Sequence, residues 1–408
     1  MKKPITHAPL NYFKTKDNIL QINNTPLPQV IARAGQTPLY IYDRQLMTER
    51  VQQLRQQLPE QIKIHYAMKA NPMPAVVQHM ANITDGIDVA SHNEMLTALD
   101  TGIPAEHISY AGPGKTDKDL TAAIAANVTL NVESINELKR IEHIGTELNL
   151  TPQIALRINP DFELKASGMK MAGGAKPFGI DAELVPDIIK TLPQSIDLIG
   201  LHIFCGSQNL NAQAIIEAHQ HTFELASKLA QLAPAPLKFI NIGGGFGIPY
   251  FPGDTPLAIE PIAHNLQTLI EQHPLISNSD IILELGRYLV GEAGIYVCQV
   301  VDKKISREQT YLITNGGLHH HLANSGNFGQ VIRKNYPVII GNNVGNEHLE
   351  QAHIVGPSCT PLDVIAHNMS LPKASINDYI VVLQSGAYGL TASPNQFLSH
   401  PNAIEILV

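Results

Sequence analysis

Residues 62–72 read Ile62-Lys63-Ile64-His65-Tyr66-Ala67-Met68-Lys69-Ala70-Asn71-Pro72, a short β-rich run that ends in a lysine and a turn. Similar runs recur along the chain, separated by stretches with apolar residues at helical spacing, such as Met95–Asp100 and Ile215–Leu232. They are Ile87–Ala90, Ile108–Ala111, Val128–Val132, Ile154–Ile158, Leu198–Ile203, Phe239–Ile242 and Ile281–Leu285. Alternating strands and helices form parallel sheets, and about eight such units predict a (β/α)8 TIM barrel. A doubly wound open sheet is the alternative.

The ends of these runs favour the barrel. Nearly every run ends in polar or glycine-rich residues, such as Lys69, Glu133, Asn159 and Glu284. Barrel enzymes assemble their active sites at the carboxyl ends of the strands, so this pattern suits a central ligand site.

The chain changes character after about residue 290. There the β-like runs alternate with turns, and few stretches have helical spacing, which predicts a smaller, mostly antiparallel β domain. These runs are Gly294–Val301, Tyr311–Thr314, Val338–Ile340, His353–Val355 and Tyr379–Leu383. The early run Ile19–Ile22 is also β-like, and we expect it to pair with this domain.

The composition excludes several classes of protein. Of the 408 residues, 44% are hydrophobic and 16% are charged, which indicates well-filled cores and not a disordered chain. The net charge of −8, with no basic run, argues against nucleic-acid binding. The three cysteines are far apart, which indicates neither a disulfide framework nor a zinc site. Since no apolar run has signal-like or membrane-spanning character, we expect a cytoplasmic protein with no membrane partner.

Three strand ends carry residues suited to chemistry. Lys69 would project into the barrel mouth, where desolvation lowers the pKa of a lysine and makes it a nucleophile, unless it is simply solvated. Gly243-Gly244-Gly245 would let the backbone approach an anion such as phosphate, or form a tight turn. Glu284 emerges from an apolar run and needs a cationic partner, which a protonated ring nitrogen or Arg287 would supply, unless it forms a surface salt bridge.

Three other segments have weaker implications. Cys359 lies in a turn-rich segment, where it is either a small buried hydrophobe or a proton donor near a cofactor. The adjacent histidines His319-His320-His321 would point in different directions on a regular element, so we expect no metal site. The Gly114-Lys115-Thr116 segment lacks the first glycine of a P-loop, because Ser109 occupies that position.

Taken together, these segments resemble the fold-type III pyridoxal-phosphate decarboxylases, the family of diaminopimelate and ornithine decarboxylases. The matching motifs cover almost the whole chain in family order. They are Thr37-Pro38-Leu39-Tyr40-Ile41-Tyr42-Asp43, Tyr66-Ala67-Met68-Lys69-Ala70-Asn71, Asn131-Val132-Glu133-Ser134, Phe178-Gly179-Ile180, Gly206-Ser207-Gln208, Gly243-Gly244-Gly245, Glu284-Leu285-Gly286-Arg287, Gly356-Pro357-Ser358-Cys359 and Gly386-Ala387-Tyr388.

The resemblance implies an alanine racemase-like barrel over residues 36–290, which binds pyridoxal 5′-phosphate. It also implies a β domain, built from residues 1–35 and 291–408, that completes the shared active sites of a homodimer. Lys69 matches the lysine that holds the cofactor as a Schiff base, Glu284 the acid at the pyridine nitrogen, and Cys359 the partner subunit's proton donor. The other matched positions are a second acid beside the lysine and the phosphate and substrate pocket: Asp88, Ser207, Gly243, Gly244, Gly245, Gly286, Arg287 and Tyr388.

Departures from the family bear on the substrate. Phe204 stands where the family stacks a histidine on the cofactor ring, and another aromatic side chain can still stack there. Thr360 replaces the acid that grips the distal amine of free diamino acids, and a neutral hydroxyl cannot offset the burial of an ammonium. The segment Asn315–His321 also replaces the family's Asp-Gly-Gly stretch.

The ending of the chain resembles a narrower subgroup. Two segments are similar to those of decarboxylases that act on acyl-carrier-protein-linked glutamyl units or on siderophore intermediates. They are Cys359-Thr360-Pro361-Leu362-Asp363 and Phe397-Leu398-Ser399-His400-Pro401. We therefore expect a carrier-protein-tethered or small-molecule conjugated amino acid as substrate, in secondary metabolism. The alternatives are a diaminopimelate decarboxylase, an alanine-type racemase and a non-catalytic homologue that binds pyridoxal phosphate.

Overall fold

Eight parallel strands close into a barrel in the computed structural model, which describes residues 6–9, 12–162, 169–170, 173–328, 330, 333–345 and 347–408. These strands are rich in Ile, Leu and Val, which suit strands buried on both faces. They pair in chain order, and the last strand pairs in parallel with the first, which confirms the barrel and excludes an open sheet. They are Ile62–Ala67, Gly86–Val89, Ile108–Tyr110, Thr129–Val132, Gln153–Asn159, Asp197–His202, Phe239–Gly244 and Asp280–Leu285.

Helices connect consecutive barrel strands. Several begin at a side chain that accepts a hydrogen bond from the first turn, as Ser91, Thr116 and Ser134 do, which stabilises each start. The Ala212–Ala230 helix buries one apolar face at helical spacing. The connecting helices are Pro74–Ala81, His92–Asp100, Asp117–Ala125, Ile135–Leu148, Val185–Lys190, Ala212–Ala230 and Glu260–Gln272, and Arg44–Gln57 precedes the first strand.

A second sheet contains the remaining long strands. Most of its neighbouring strands are antiparallel, which confirms the expected β architecture. Its strands are Leu39–Tyr42, Gly294–Ser306, Gln309–Thr314, Val338–Ile340, Leu349–Val355, Val364–Pro372, Tyr379–Val382 and Ile404–Leu407. The early run Ile19–Ile22 instead pairs with the short strands Thr15–Lys16 and Thr25–Pro26, although its side chains Leu20 and Ile22 pack in one hydrophobic cluster with Ile295 and Val381 of the second sheet.

The chain divides into two units, each with dense internal contacts. We call Arg50–Ile248 with Pro256–Tyr288 the barrel unit, and Met1–Glu49, Pro249–Thr255 and Leu289–Val408 the β unit. In the described residues, no helix combines the length and apolar character needed to cross a membrane.

Candidate active site

Lys69 and Glu284 lie close together at the carboxyl end of the barrel. Lys69 sits in the 3₁₀ turn that follows the Ile62–Ala67 strand, and Glu284 lies on the neighbouring strand, opposite His65. The Lys69 Nζ atom is 3.5 Å from Glu284 Oε1. The Lys69 side chain is 42% exposed and that of Glu284 is 6% exposed, so an accessible amine faces a buried carboxylate.

His202 contacts the other oxygen of Glu284. Its Nε2 atom lies 3.1 Å from Glu284 Oε2, and both side chains are buried. Burial alone raises the pKa of Glu284, but the Lys69 ammonium, the His202 contact and the charge of Arg157 outweigh it, so the pKa lies well below its ordinary value. Glu284 is therefore an anion. This position of His202 was not predicted from the sequence.

Phe204 lies beside the Lys69 amine. The centre of its ring is 5.5 Å from Lys69 Nζ, and the ring packs against the backbone of Gly243. A Cβ atom at position 243 would lie 2.7 Å from Phe204 Cδ2, so only glycine allows this contact. An aromatic ring thus lies next to the lysine, and a side chain of this kind can stack on a flat ring.

The glycine loop, Gly243–Gly247, begins at the end of the Phe239–Gly244 strand, where its backbone packs too closely on neighbouring atoms to carry side chains. Gly243 has φ +70° and Gly245 has φ +83°, in the left-handed region that favours glycine. A Cβ atom on Gly244 would clash with the Glu284 carbonyl oxygen. The loop therefore brings side-chain-free backbone against the backbone of Glu284, and exposed backbone N–H groups of this kind suit the phosphate of a pyridine cofactor.

The remaining predicted residues of the barrel unit lie on or after barrel strands. Ser207 is in the two-residue strand Gly206–Ser207, which follows Asp197–His202. Gly286 and Arg287 follow Asp280–Leu285, and a Cβ atom at 286 would lie 2.8 Å from the Cβ of Ala70. Together with Lys69 and Glu284, these positions form a donor set that suits a phosphorylated pyridine aldehyde.

Asp88 points into the barrel. It lies opposite Ala67 on the neighbouring strand, and its Oδ1 accepts a hydrogen bond from the Ser109 hydroxyl. The same oxygen is 3.5 Å from His65 Nδ1, whereas Oδ2 is buried without a hydrogen-bond partner in the described part of the chain. Asp88 therefore belongs to a polar layer inside the barrel.

Cys359, Thr360 and Tyr388 lie in the β unit. Cys359 is exposed, and the other two cysteines, Cys205 and Cys298, are buried. Thr360 Oγ1 accepts a hydrogen bond from Leu362 N–H at 3.3 Å, so the turn after Cys359 is closed locally.

Asp363 holds the turn that contains Cys359. The residue is 2% exposed, and its two carboxylate oxygens accept hydrogen bonds from Leu318 N–H at 2.7 Å and Ser358 N–H at 2.9 Å. A Cβ atom on Gly317 or Gly356 would collide with this carboxylate. This role was not predicted from the sequence, although Asp363 ends the Cys359–Asp363 motif.

The three adjacent histidines are buried in the β unit. His320 Nε2 is 2.8 Å from the Pro401 carbonyl oxygen, and His321 Nε2 is 2.9 Å from Ser385 Oγ. Burial lowers the pKa of His319 and His321 to about 3, so both rings are neutral at ordinary pH. In the described residues, no three His, Cys, Asp or Glu side chains are grouped so that they could hold a metal ion.

The family of this chain is given by a sequence model. The model of the pyridoxal-binding domain of pyridoxal-dependent decarboxylases matches residues 44–291. This range includes the barrel and the residues that lie around Lys69 and Glu284.

Individual relatives match almost the whole chain. The chain is 35% identical to the L-glutamyl-[BtrI acyl-carrier protein] decarboxylase of Niallia circulans, over 92% of this chain and 90% of that protein. It is 33% identical to the diaminopimelate decarboxylase of Aquifex aeolicus, over 97% and 92%. It is 30% identical to the 2-[(L-alanin-3-ylcarbamoyl)methyl]-2-hydroxybutanedioate decarboxylase of Staphylococcus aureus, over 94% and 97%.

A solved structure shares the fold. The diaminopimelate decarboxylase of Helicobacter pylori, crystallised with L-lysine, superposes with a TM-score of 0.83 at 26% identity, over 93% of this chain and 94% of that one. These matches confirm the resemblance found in the sequence motifs. The chain therefore belongs to the pyridoxal-dependent decarboxylases and is a carboxy-lyase that uses pyridoxal 5′-phosphate.

Proposed function

We propose that this enzyme removes the α-carboxylate of a conjugated amino acid in secondary metabolism, either tethered to a carrier protein or part of a siderophore intermediate. The observation that carries this proposal is Thr360, beside the exposed Cys359. A threonine hydroxyl does not offset the desolvation cost of burying a free distal ammonium, whereas a conjugated substrate has no such charge to bury. Relatives that act on a carrier-linked glutamyl group and on a carbamoyl-linked alanine support the same substrate class.

Each residue at the barrel mouth has a proposed role. Lys69 provides the amine that anchors the cofactor aldehyde, and the anionic Glu284 keeps a proton on the pyridine nitrogen. Phe204 supports the ring. Backbone N–H groups of the glycine loop bind the phosphate, and Ser207, Gly286, Arg287 and Tyr388 complete the phosphate and substrate pocket. When bound, pyridoxal phosphate supplies the electron sink for the loss of CO2.

The proposed proton donor is Cys359. Its Sγ holds the proton that passes to the α-carbon after CO2 has left. Because Cys359, Thr360 and Tyr388 belong to the β unit, we propose a homodimer in which the β domain of one subunit completes the active site of the other. The proposed domains are residues 36–290 for the barrel and residues 1–35 with 291–408 for the β domain.

Diaminopimelate decarboxylase is the second candidate. The Aquifex relative favours it, with 33% identity over nearly the whole chain. Thr360 opposes it, because the side chain has no negative charge for the distal ammonium of diaminopimelate.

Assays of the purified holoenzyme separate these candidates. The substrates are free diaminopimelate, lysine and ornithine, a glutamyl-carrier-protein conjugate and an amide-linked amino acid. CO2 release and product mass are measured for each. We expect release from a conjugate and little from the free diamino acids. Rapid release from any free diamino acid would overturn the proposal, and an inverted α-carbon without CO2 would indicate a racemase.

The variant Lys69→Ala tests cofactor anchoring. We expect it to lose the visible absorbance of the bound cofactor and the decarboxylase activity. Lys63→Ala is the matched control, because Lys63 is on the strand that precedes Lys69, and its Nζ lies 4.0 Å from Asp280 at the other end of the barrel. A Lys69→Ala protein that keeps both colour and activity contradicts the proposed role.

A further inference from the structure

The glycine loop is held by the side chain of Gln208. Gln208 Nε2 donates a hydrogen bond to the Ile248 carbonyl oxygen at 2.6 Å, and Gln208 Oε1 accepts one from Ile248 N–H at 3.2 Å. The amide thus bonds both backbone groups of one residue, as a neighbouring strand would. Ile248 directly follows the glycine loop, so this clamp fixes the end of the loop.

Backbone contacts beside Gln208 extend the clamp into the loop. Asn209 N–H donates to the Gly245 carbonyl oxygen at 2.9 Å, and Gly247 N–H donates to the Asn209 carbonyl oxygen at 2.9 Å. A Cβ atom at 247 would lie 2.9 Å from that oxygen, so glycine is needed for this close approach. The segment Gln208–Asn209 and the loop are therefore joined at several points.

The backbone of Gln208 adopts a rare conformation. Its φ is +55°, in the left-handed region that non-glycine residues seldom occupy. Such strain persists only where surrounding contacts impose it, and it concentrates at functional sites. Here the two hydrogen bonds to Ile248 are the contacts that offset it.

A loop rich in glycine needs an external clamp. Glycine loses more conformational freedom on ordering than any other residue, so an unclamped loop would present its N–H groups in many directions. An anion is bound well only when the donors are oriented in advance. We propose that Gln208 is a positioning residue that holds the Gly243–Gly247 loop ready for the cofactor phosphate. This inference rests on the phosphate-binding role in the proposed function.

The test compares pyridoxal 5′-phosphate with pyridoxal, which lacks the phosphate. Dissociation constants are measured by absorbance titration of the full-length apoenzyme for the wild type and Gln208→Met, which keeps the chain length but removes both hydrogen bonds. Losing two hydrogen bonds predicts roughly tenfold weaker binding of pyridoxal phosphate. Pyridoxal binding should change less than about twofold. Gln213→Met, at an exposed helix position nearby, is the control and should change neither.

The outcomes separate positioning from general stability. Equal weakening of both ligands, or unchanged binding of pyridoxal phosphate, overturns the role of Gln208. If Gln208→Met does not fold, Gln208→Glu is measured, because it keeps the acceptor for Ile248 N–H and loses the donor; it should again weaken only the phosphorylated ligand. A wild-type protein that binds neither ligand would refute the proposed function itself and is thereby distinguished from failure of the clamp.

Discussion

The Nζ atom of Lys69 lies 3.5 Å from Oε1 of Glu284, across the two strands whose pairing closes the barrel. The same strands carry a second pair at their amino ends, where Lys63 Nζ is 4.0 Å from Asp280 Oδ1. The side chain of Asp280 is 59% exposed and that of Glu284 is 6% exposed. Exposed ion pairs contribute little to stability, whereas a buried carboxylate is destabilising unless it is paired and hydrogen-bonded. The two ends of one strand pair thus differ in burial as they do in proposed function.

Glu284→Gln should lower kcat by roughly 10²–10³-fold, because a neutral amide cannot keep a proton on the pyridine nitrogen. Since Lys69 and His202 help keep the pKa of Glu284 below its ordinary value, the wild-type carboxylate stays charged across the working pH range. The change should therefore persist from pH 6 to 9. The measurement is steady-state kinetics, with Asp280→Asn as the control, and a Gln variant with more than half of the wild-type kcat rules out the role.

Gly244→Ala should destabilise the barrel by about 1–3 kcal/mol or more, because the new methyl group overlaps the Glu284 carbonyl oxygen. Urea unfolding and the affinity for pyridoxal phosphate are the measurements. Gly114→Ala is the control, since a Cβ atom there meets nothing within 4 Å. Equal stability of the two variants would contradict the crowding of the glycine loop.

Thr360→Glu should raise kcat/KM for free diaminopimelate or ornithine by about ten- to a hundredfold, through a charge-assisted hydrogen bond to the distal ammonium. Activity on the conjugated substrate should fall. Thr360→Val, which adds no charge, is the control and should gain nothing. Parallel kinetics on free and conjugated substrates make the comparison, and an unchanged ratio between them would argue against Thr360 as a specificity residue.

Asp363→Asn should loosen the turn that contains Cys359, because the amide retains only one acceptor for two N–H groups. Amide exchange should speed up roughly tenfold in two segments distant in sequence, residues 316–322 and 356–362. In the native protein only Cys359 is exposed among the cysteines, so alkylation reports on the turn directly. Asp378→Asn is the control, since Asp378 binds Ser375 N–H elsewhere in the β unit.

Acid should destabilise the fold through His219, which is buried in the Ala212–Ala230 helix. Burial lowers its pKa from 6.5 to about 4, so the unfolded chain takes up a proton first as the pH falls. The contribution is fully present above pH 6.5 and decreases towards pH 4, by about 2 kcal/mol at pH 5. His219→Leu should flatten the loss between pH 7.5 and 5 in urea unfolding. An identical slope in variant and wild type would refute this, and His264→Leu, on the surface, is the control.

The barrel could be predicted because its strands are local patterns. Each predicted run, such as Ile62–Tyr66 or Ile281–Leu285, lies within about two residues of an observed strand. The strand Val364–Pro372 was not predicted, because its polar residues and terminal proline obscure the alternation typical of a strand. It forms through its antiparallel pairing with Leu349–Val355. Likewise, nothing local in Leu39–Tyr42 tells that it pairs with Gly294–Ser306.

The candidate site was predictable where neighbouring strands determine it. Lys69 and Glu284 meet because parallel strands bring their carboxyl ends to one rim. The contact between His202 and Glu284 was not predictable. A register shift between Leu198 and Gly200 changes which residues of that strand face inward, and a bulge of this kind leaves no clear sequence signal. The Asp363 contact with Leu318 was hidden because it joins two loops distant in sequence.

Barrel closure also determines when the contact between Lys69 and Glu284 can form during synthesis of the chain. Lys69 and Glu284 are 215 positions apart in the chain, yet Lys69 lies in the turn after the first barrel strand and Glu284 lies on the last, and these two strands pair with each other. A nascent chain still on the ribosome therefore carries Lys69 long before Glu284 is synthesised. Contacts of such long range form late and slowly, so the proposed cofactor site is complete only when the last strand docks.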